Sequence, residues 1–529
     1  MKSKSTLLGS LMRAFRLSVY SNQKNTPPID ELLDILKEKG ASRREFLNKS
    51  SFLIGASLLN SSSYSAVFEP IKDTKNNKAV KKLIDKKIAI MGAGIAGLNA
   101  AYKLKKAGIA SIVYEASGRL GGRIQTARNV FGAGITTEIG GEFIDSDHAE
   151  MLALAQEFNL ELIDTDLDTL KKQLFFIHNQ TYSLYEVIEE FKKIAPKILA
   201  DQNKLNDNLT NNASKVFDNL PLKQYLQSLN TTNWLTELLD AAYVAEFGQA
   251  TEIQSTLNFL TLIGTETNSG DFDVFGDSDE RYKIKGGNDL ITKNLADRLE
   301  GQIETNEQLV SVKQFSKEYI LTFKSGKTIK ANFVVLAIPF TILRNIQLEL
   351  KELTAKKRNC IQEYGYGDNA KLIMGFNQKI WREEGYQGYM FNEKVSDGWD
   401  SSQLQDNTGA SYTVYTGGQA AKDMAINFNN KQAEIDKYLP VVERAFGNRT
   451  GQFNGKSIIA NWPTNPYVLG SYGCFKPGQF TKFYALAGEP AGNVFFAGEH
   501  CSQDFQGFME GGAETGKTVA EAILKKVKV

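Results

Sequence analysis

The chain of 529 residues has three cysteines and three histidines, almost no net charge, and no apolar run long enough to cross a bilayer. Cys360, Cys474 and Cys501 are widely scattered, which excludes a disulfide framework and a C-x-x-C metal site. With so few histidines beside them, no protein-held metal is expected. Lys+Arg 62 against Asp+Glu 61 gives a formal charge of +1, so no basic groove for nucleic acid is expected. The short apolar stretch Phe52 to Leu59 is too brief for a membrane span, and no stable transmembrane anchor is expected.

What is present begins with size. The length allows two or three domains with sizeable cores, and 42% hydrophobic residues suit an ordinary globular protein. Residues 1–66 read as a leader: "SRREFLNKSSFLIGASLLNSSSYSA" sets Arg43 and Arg44 before a short apolar run and then small residues near Ser65 and Ala66, the arrangement of a twin-arginine export signal. The competing reading is a helix start, because Ser42 and Glu45 form a capping box. Ahead of it, "STLLGSLMRAFRLSVY" has the composition of a basic amphipathic helix. A polar spacer, 67–81, follows. The expected location is therefore periplasmic or secreted.

Near Lys82 the pattern changes. "KKIAIMG" reads as a buried strand, "GAGIAGLNAAYKLKKAG" as a glycine turn feeding a helix, and "ASIVYEA" as a second strand, together a βαβ unit. In the turn Gly92, Ala93, Gly94, Ile95, Ala96 and Gly97, the first glycine permits the bend. The second lets backbone approach a pyrophosphate at the helix N-terminus, and the third lets helix lie close on strand. Glu115, followed by Ala116, ends the second strand where a carboxylate accepts from ribose hydroxyls. "GRLGGR" adds Gly118, Gly122, Arg119 and Arg123, with guanidiniums matched to phosphate oxygens.

The segment from Ile88 to Arg123 resembles the flavin-dependent amine oxidase superfamily, which includes monoamine, polyamine and L-amino acid oxidases. The likeness extends through "TEIGGEFID", with Gly140, Gly141 and Glu142, and "YKIKGGNDLITKNLADRL". It ends at "NVFFAGEHCSQDFQGFMEGGAETGKTVAEAIL", a strand, a glycine turn and an Ala-rich helix. The resemblance implies FAD as cofactor. It assigns the adenine to the backbone of Val310, the ribityl chain to Glu499 between Gly498 and Gly507, and the pyrimidine end of the flavin to the Met509 N–H at a helix N-terminus. The fold class implied is α/β: a Rossmann-like FAD domain (82–146, 275–345 and 456–529) interleaved with a mixed α+β substrate domain (147–274 and 346–455).

Within "GYGDNAKLIMGFNQKIW", the alternation of Ala370, Leu372, Met374 and Phe376 defines one strand face, so Lys371 points the other way with Ile373. A buried ammonium is costly without a task. The resemblance supplies one, a hydrogen bond to a water at flavin N5. It likewise sets Trp462, Tyr472 and Phe508 beside the flavin, with Tyr472 and Phe508 flanking the substrate nitrogen as an aromatic cage. Monoamine oxidases tether FAD through a cysteine where this chain has Ser471, so noncovalent FAD is expected. The carboxylate-binding arginine of many L-amino acid oxidases is absent near Gly140. Glu142 is open to two readings, attraction of a second cationic end of the substrate or a structural role beside the flavin. The function implied is oxidation of an amine or L-amino acid to an imine, hydrolysed to carbonyl and ammonia, with O2 reduced to peroxide. The alternatives are a flavin desaturase or protoporphyrinogen-type oxidase, and a flavin-bound interaction or redox-sensing protein without turnover. The oligomeric state, with a homodimer among the options, and the roles of Cys474 and Cys501 are left open.

Overall fold

Four successive apolar residues, Ile88–Met91, are all buried, the pattern of a strand covered on both faces of a parallel sheet. In a computed structural model describing residues 87–527 apart from 208, 266–273 and 277, this strand is the centre of five. The order is Val494–Phe496, Phe333–Leu336, Ile88–Met91, Ile112–Tyr114, Ile303–Glu304, and every pairing is parallel. Side chains alternate across it. Ile88 and Ile90 enter a core with Leu98, Ile291 and Ala513 from helices Ile95–Lys106, Asp289–Asp297 and Met509–Val527. Ala89 and Met91 enter another with Val312, Leu321 and Ala331 of a β meander, Leu309–Phe315, Glu318–Phe323 and Thr328–Ala331. Close approach of the first helix to the strand depends on Gly97, where a Cβ would lie 2.0 Å from the Gly92 carbonyl oxygen.

A second sheet of seven strands runs Phe453–Asn461, Ala370–Phe376, Ala410–Thr416, Ser396–Asp400, Tyr386–Asn392, Lys172–Ile177, Gln180–Tyr182. The expected alternation holds along Ala370–Phe376: Ala370, Leu372, Met374 and Phe376 join one core with Trp381, Tyr438 and Val442. Ile373, on the opposite face, meets Phe131 and Ile135. Helices between Leu184 and Leu260 cover another part of the sheet through Leu239, Tyr243 and Phe259, which contact Phe175 and Ile177.

The expected boundaries shift at three points. Helix Ala149–Glu157 was expected in the substrate domain, yet Met151, Leu154 and Ala155 belong to the first core. Helix Ala355–Glu363 likewise buries Cys360 and Ile361 against the meander. Position 456 falls inside strand Phe453–Asn461 of the seven-stranded sheet. Each element is amphipathic enough to serve either core, so composition alone does not assign it. Among the described residues no helix is long and apolar enough to cross a membrane. The leader, the spacer and the arginine pair lie outside the described residues.

Candidate functional site

A cleft of about 560 Å³ runs across the carboxyl ends of the parallel strands, where open α/β sheets bind their ligands. Its first wall is the glycine turn. Gly92 has φ +100° and accepts no side chain, since a Cβ would meet the Ala337 carbonyl oxygen at 2.4 Å. Gly94 opens helix Ile95–Lys106 with no side-chain cap, which leaves first-turn N–H groups available to an anion. Gly92, Gly94, Ile95 and Ala96 line the cleft. Ala93 and Gly97 do not, and act from behind: Ala93 N–H donates to Glu115 Oε2 at 2.8 Å, and Gly97 seats the helix. Glu115 Oε1 accepts from the N–H of Ser117 at 2.9 Å. The ribose-side acid is thus fixed by the turn it serves, and Ala116 and Gly118 continue the same wall.

Arg119 and Arg123 both line the cleft with Gly122, but they differ in restraint. Arg119 is exposed and donates to the carbonyls of Leu120 and Gly122. Arg123 donates to the Ser471 carbonyl and to Glu499 Oε1, the latter at 2.9 Å. Glu499 Oε2 accepts from the N–H groups of Gly473 and Gly507 at 3.3 and 3.1 Å. This buried carboxylate therefore ties three cleft segments together. Gly498, Gly507 and Met509 line the same end, where helix Met509–Val527 begins.

Lys371 is 6% exposed. Its Nζ donates to the carbonyls of Glu138 and Gly140 and to Glu142 Oε2, at 3.1, 2.9 and 3.0 Å. An ammonium has three N–H bonds, and all three are used. Glu142 Oε1 also faces Lys283 Nζ at 3.6 Å. Glu142 does not line the cleft; its charge is absorbed by two lysines, which favours its structural reading over attraction of a substrate cation. Gly140 and Gly141 do line the cleft. Burial, ahead of every other influence, raises Glu138 to about 8 even though it accepts from the Asn288 N–H and the Thr126 hydroxyl.

Tyr472, Phe508 and Trp462 all line the cleft. Tyr472 Oη donates to the Ala245 carbonyl at 3.1 Å and lies 2.9 Å from Tyr415 Oη. The Phe508 ring stands edge-on to His148 with centroids 5.1 Å apart. Ser471, 3% exposed, donates to Asn369 Oδ1 at 2.6 Å. None of the three cysteines lines the cleft, and burial pushes Cys360 up to about 11 and Cys501 to about 12, with Cys474 higher still.

Val310 is assigned a role through its backbone alone. It is 43% exposed and does not line the cleft, whereas Glu307, Gln308 and Leu309 do. The pairing of Leu309–Phe315 with Glu318–Phe323 slips between Leu309 and Ser311, and this irregularity turns the Val310 side chain outward. Among the lining residues that the sequence leaves unassigned, two stand out. Tyr415 is the cross-strand partner of Lys371; the only signal for it was a strand pattern in "ASYTVYT". His500, next to Glu499, is 1% exposed and neither ring nitrogen has a hydrogen-bond partner, although Nδ1 lies 3.9 Å from Glu499 Oε1; burial holds it well below its usual range.

The donor set fits a bound dinucleotide: an uncapped helix N-terminus, a carboxylate fixed by the turn, the start of a second helix, and buried His500 with no hydrogen-bond partner, all on one cleft. Comparison with known proteins agrees. The chain is 26% identical over 460 residues to a probable flavin-containing monoamine oxidase A of Dictyostelium discoideum, covering 83% of this chain and 98% of that one. It is 25% identical over 465 residues to an L-amino acid dehydrogenase of Synechocystis, covering 82% and 94%. Its fold matches the cyclohexylamine oxidase of Brevibacterium oxydans with a TM-score of 0.72 at 19% identity, over 84% of this chain and 100% of that one. The family model for flavin containing amine oxidoreductases matches residues 95–524, and this chain belongs to that family of FAD-dependent enzymes acting on CH–NH2 groups.

Proposed function

We propose that this protein catalyses oxidative deamination, taking an amine or L-amino acid to its imine, with O2 as electron acceptor and peroxide as product, on FAD held without a covalent link. The observation that carries the reading is that Lys371, Tyr472 and Phe508 line the same cleft as Glu115 and the glycine turn, with Tyr415, the cross-strand partner of Lys371, 2.9 Å from Tyr472. When bound, FAD accepts the two electrons and the hydrogen from the carbon that bears nitrogen.

The protein's own residues do the rest. Tyr472 and Phe508 present aromatic faces that exclude water and orient an amine, and Tyr472 is held in place by Tyr415 and the Ala245 carbonyl. Lys371 brings a positive charge to the cleft wall. It serves a water only by giving up one of its three bonds. Arg119, Arg123 and the start of helix Ile95–Lys106 supply positive potential for a pyrophosphate. Ser471 in the tether position, with no cysteine on the cleft, supports noncovalent attachment. A desaturase or a binding protein without turnover has no use for this lysine and cage. Export by the twin-arginine route, inferred from Arg43 and Arg44, accords with loading FAD before translocation.

The test is a coupled peroxidase screen across amines and L-amino acids. Peroxide release with a subset of them is the expected result. Silence across the panel, together with a flavin that no amine reduces anaerobically, would remove the reading.

A further inference from the structure

Glu142 and Lys283 are buried charged residues to which the scheme above gives no work. Glu142 follows Gly140 and Gly141, which line the cleft, but does not line it itself, and its side chain reaches Lys371 instead. Its place is fixed. Asn288 Nδ2 donates to the Gly141 and Glu142 carbonyls at 3.1 and 2.7 Å. The Met509 side chain lies so close on Gly141 that a Cβ there would meet it at 2.7 Å.

Glu142 Oε2 accepts from Lys371 Nζ at 3.0 Å, while Oε1 has no hydrogen bond and faces Lys283 Nζ at 3.6 Å. Lys283 also donates to the Ser401 carbonyl at 3.2 Å and lies 5.4 Å from the Phe143 ring, and the Trp399 ring stands 5.2 Å from the Lys371 ammonium. Among the described residues no other carboxylate pairs with either lysine. Glu138, whose carboxyl feels both Glu142 and Lys371, keeps its proton at neutral pH because burial raises it to about 8. Two buried ammonium groups therefore share one carboxylate and leave one net positive charge, and Lys371 presents it to the cleft it lines. Charges removed from solvent are screened little, so a change of either sign here is felt across the cleft wall.

We propose that Glu142 is a positioning residue of the oxidation: it holds the Lys371 ammonium at the cleft wall, offsets part of its charge, and together with Lys283 sets the redox potential of the flavin bound there. The proposal rests on the reading of Lys371 as part of the oxidising end and goes beyond it. Bound flavin gathers negative charge when it is reduced, and charge near its ring tunes that step. A net positive charge on the wall favours the reduced state, and the carboxylate limits how far it does so. Glu142 is placed for this: the two glycines before it line the cleft, and its side chain reaches back to the lysine.

The experiment measures the midpoint potential of the full FAD-loaded protein by slow anaerobic reduction against a dye of known potential, a readout that needs no substrate. Glu142→Gln keeps a hydrogen-bond acceptor for Lys371 and removes the charge. It should raise the potential by at least about 30 mV, a tenfold shift in a two-electron equilibrium. Lys371→Met should lower it by a similar amount, and Glu142→Asp, which keeps the charge, should stay within about twofold of the wild-type equilibrium. Opposite signs separate charge from loosening, because a disturbed loop would release FAD from both variants. If the stranded Lys283 prevents Glu142→Gln from folding, Glu142→Gln combined with Lys283→Met removes one charge of each sign. That pair should still raise the potential, since the carboxylate is the charge in contact with Lys371. A fall, or a change of less than about twofold, on loss of the Glu142 charge while Lys371→Met lowers the potential overturns the role of Glu142 and leaves Lys371 at the oxidising end. An unmoved potential in both overturns the two together.

Discussion

Replacing Lys371 by methionine separates structural from chemical work at one residue. The side chain fills a similar volume, but the Glu138 and Gly140 carbonyls each lose a donor and Glu142 loses its nearer cation. Breaking a buried ion pair costs roughly 3–5 kcal/mol. Lys283, 3.6 Å from the other oxygen, still offsets the stranded charge and holds the loss near about 3 kcal/mol. Combining Lys371→Met with Glu142→Gln removes that charge but takes the carboxylate from Lys283, which is 3% exposed, and should recover no more than about 1 kcal/mol. Catalysis should behave differently. The single and double variants should both retain FAD yet reduce or reoxidise it at least about tenfold more slowly, about 1.4 kcal/mol of barrier. Urea unfolding gives the stability terms, and anaerobic stopped-flow absorbance with flavin content gives the rates. Wild-type rates in both half-reactions for the single variant, or turnover in the double variant that recovers in step with stability, would refute a chemical role for the lysine.

Three more outcomes follow from the same description. Acid or heat denaturation should release FAD into the supernatant, because Ser471 stands at the tether position and no cysteine lines the cleft; flavin that remains with the precipitate would contradict this. Stability should fall as pH rises from about 5 to about 8, since Glu138 and Asp397 at about 8 and Asp145 and Glu510 at about 7 keep protons that the unfolded carboxyls have shed. Glu138→Gln should flatten that slope in thermal unfolding, and an unchanged slope would remove Glu138 as a contributor. Changing Arg43 and Arg44 to lysines should trap active, flavin-loaded protein in the cytoplasm while the wild type appears outside it, which fractionation and an activity assay distinguish; unaltered location would favour the capped-helix reading.

The parts of the fold read correctly from sequence are those whose causes are local. The turn from Gly92 to Gly97 and the acid at Glu115 lie within one βαβ unit, so their spacing alone sets their geometry. The orientation of Lys371 followed from two-residue alternation, which any strand obeys. What escaped depends on contacts between distant segments. Tyr415 reaches the cleft only because its strand pairs with that of Lys371. Glu142 is diverted by Lys283, far along the chain. The Val310 side chain is turned outward by a slip in register that no composition signals. Helix Ala149–Glu157 fits either domain by pattern, and the first core claims it through Met151 and Leu154.

The account's central claim is that Lys371, Tyr472 and Phe508 form the oxidising end of an FAD cleft. Anaerobic titration of the purified protein with amines, followed by admission of O2, tests it most directly. The flavin absorbance should bleach with an accepted amine and return on aeration with one equivalent of peroxide. A flavin that stays oxidised with every amine and L-amino acid offered would contradict the claim.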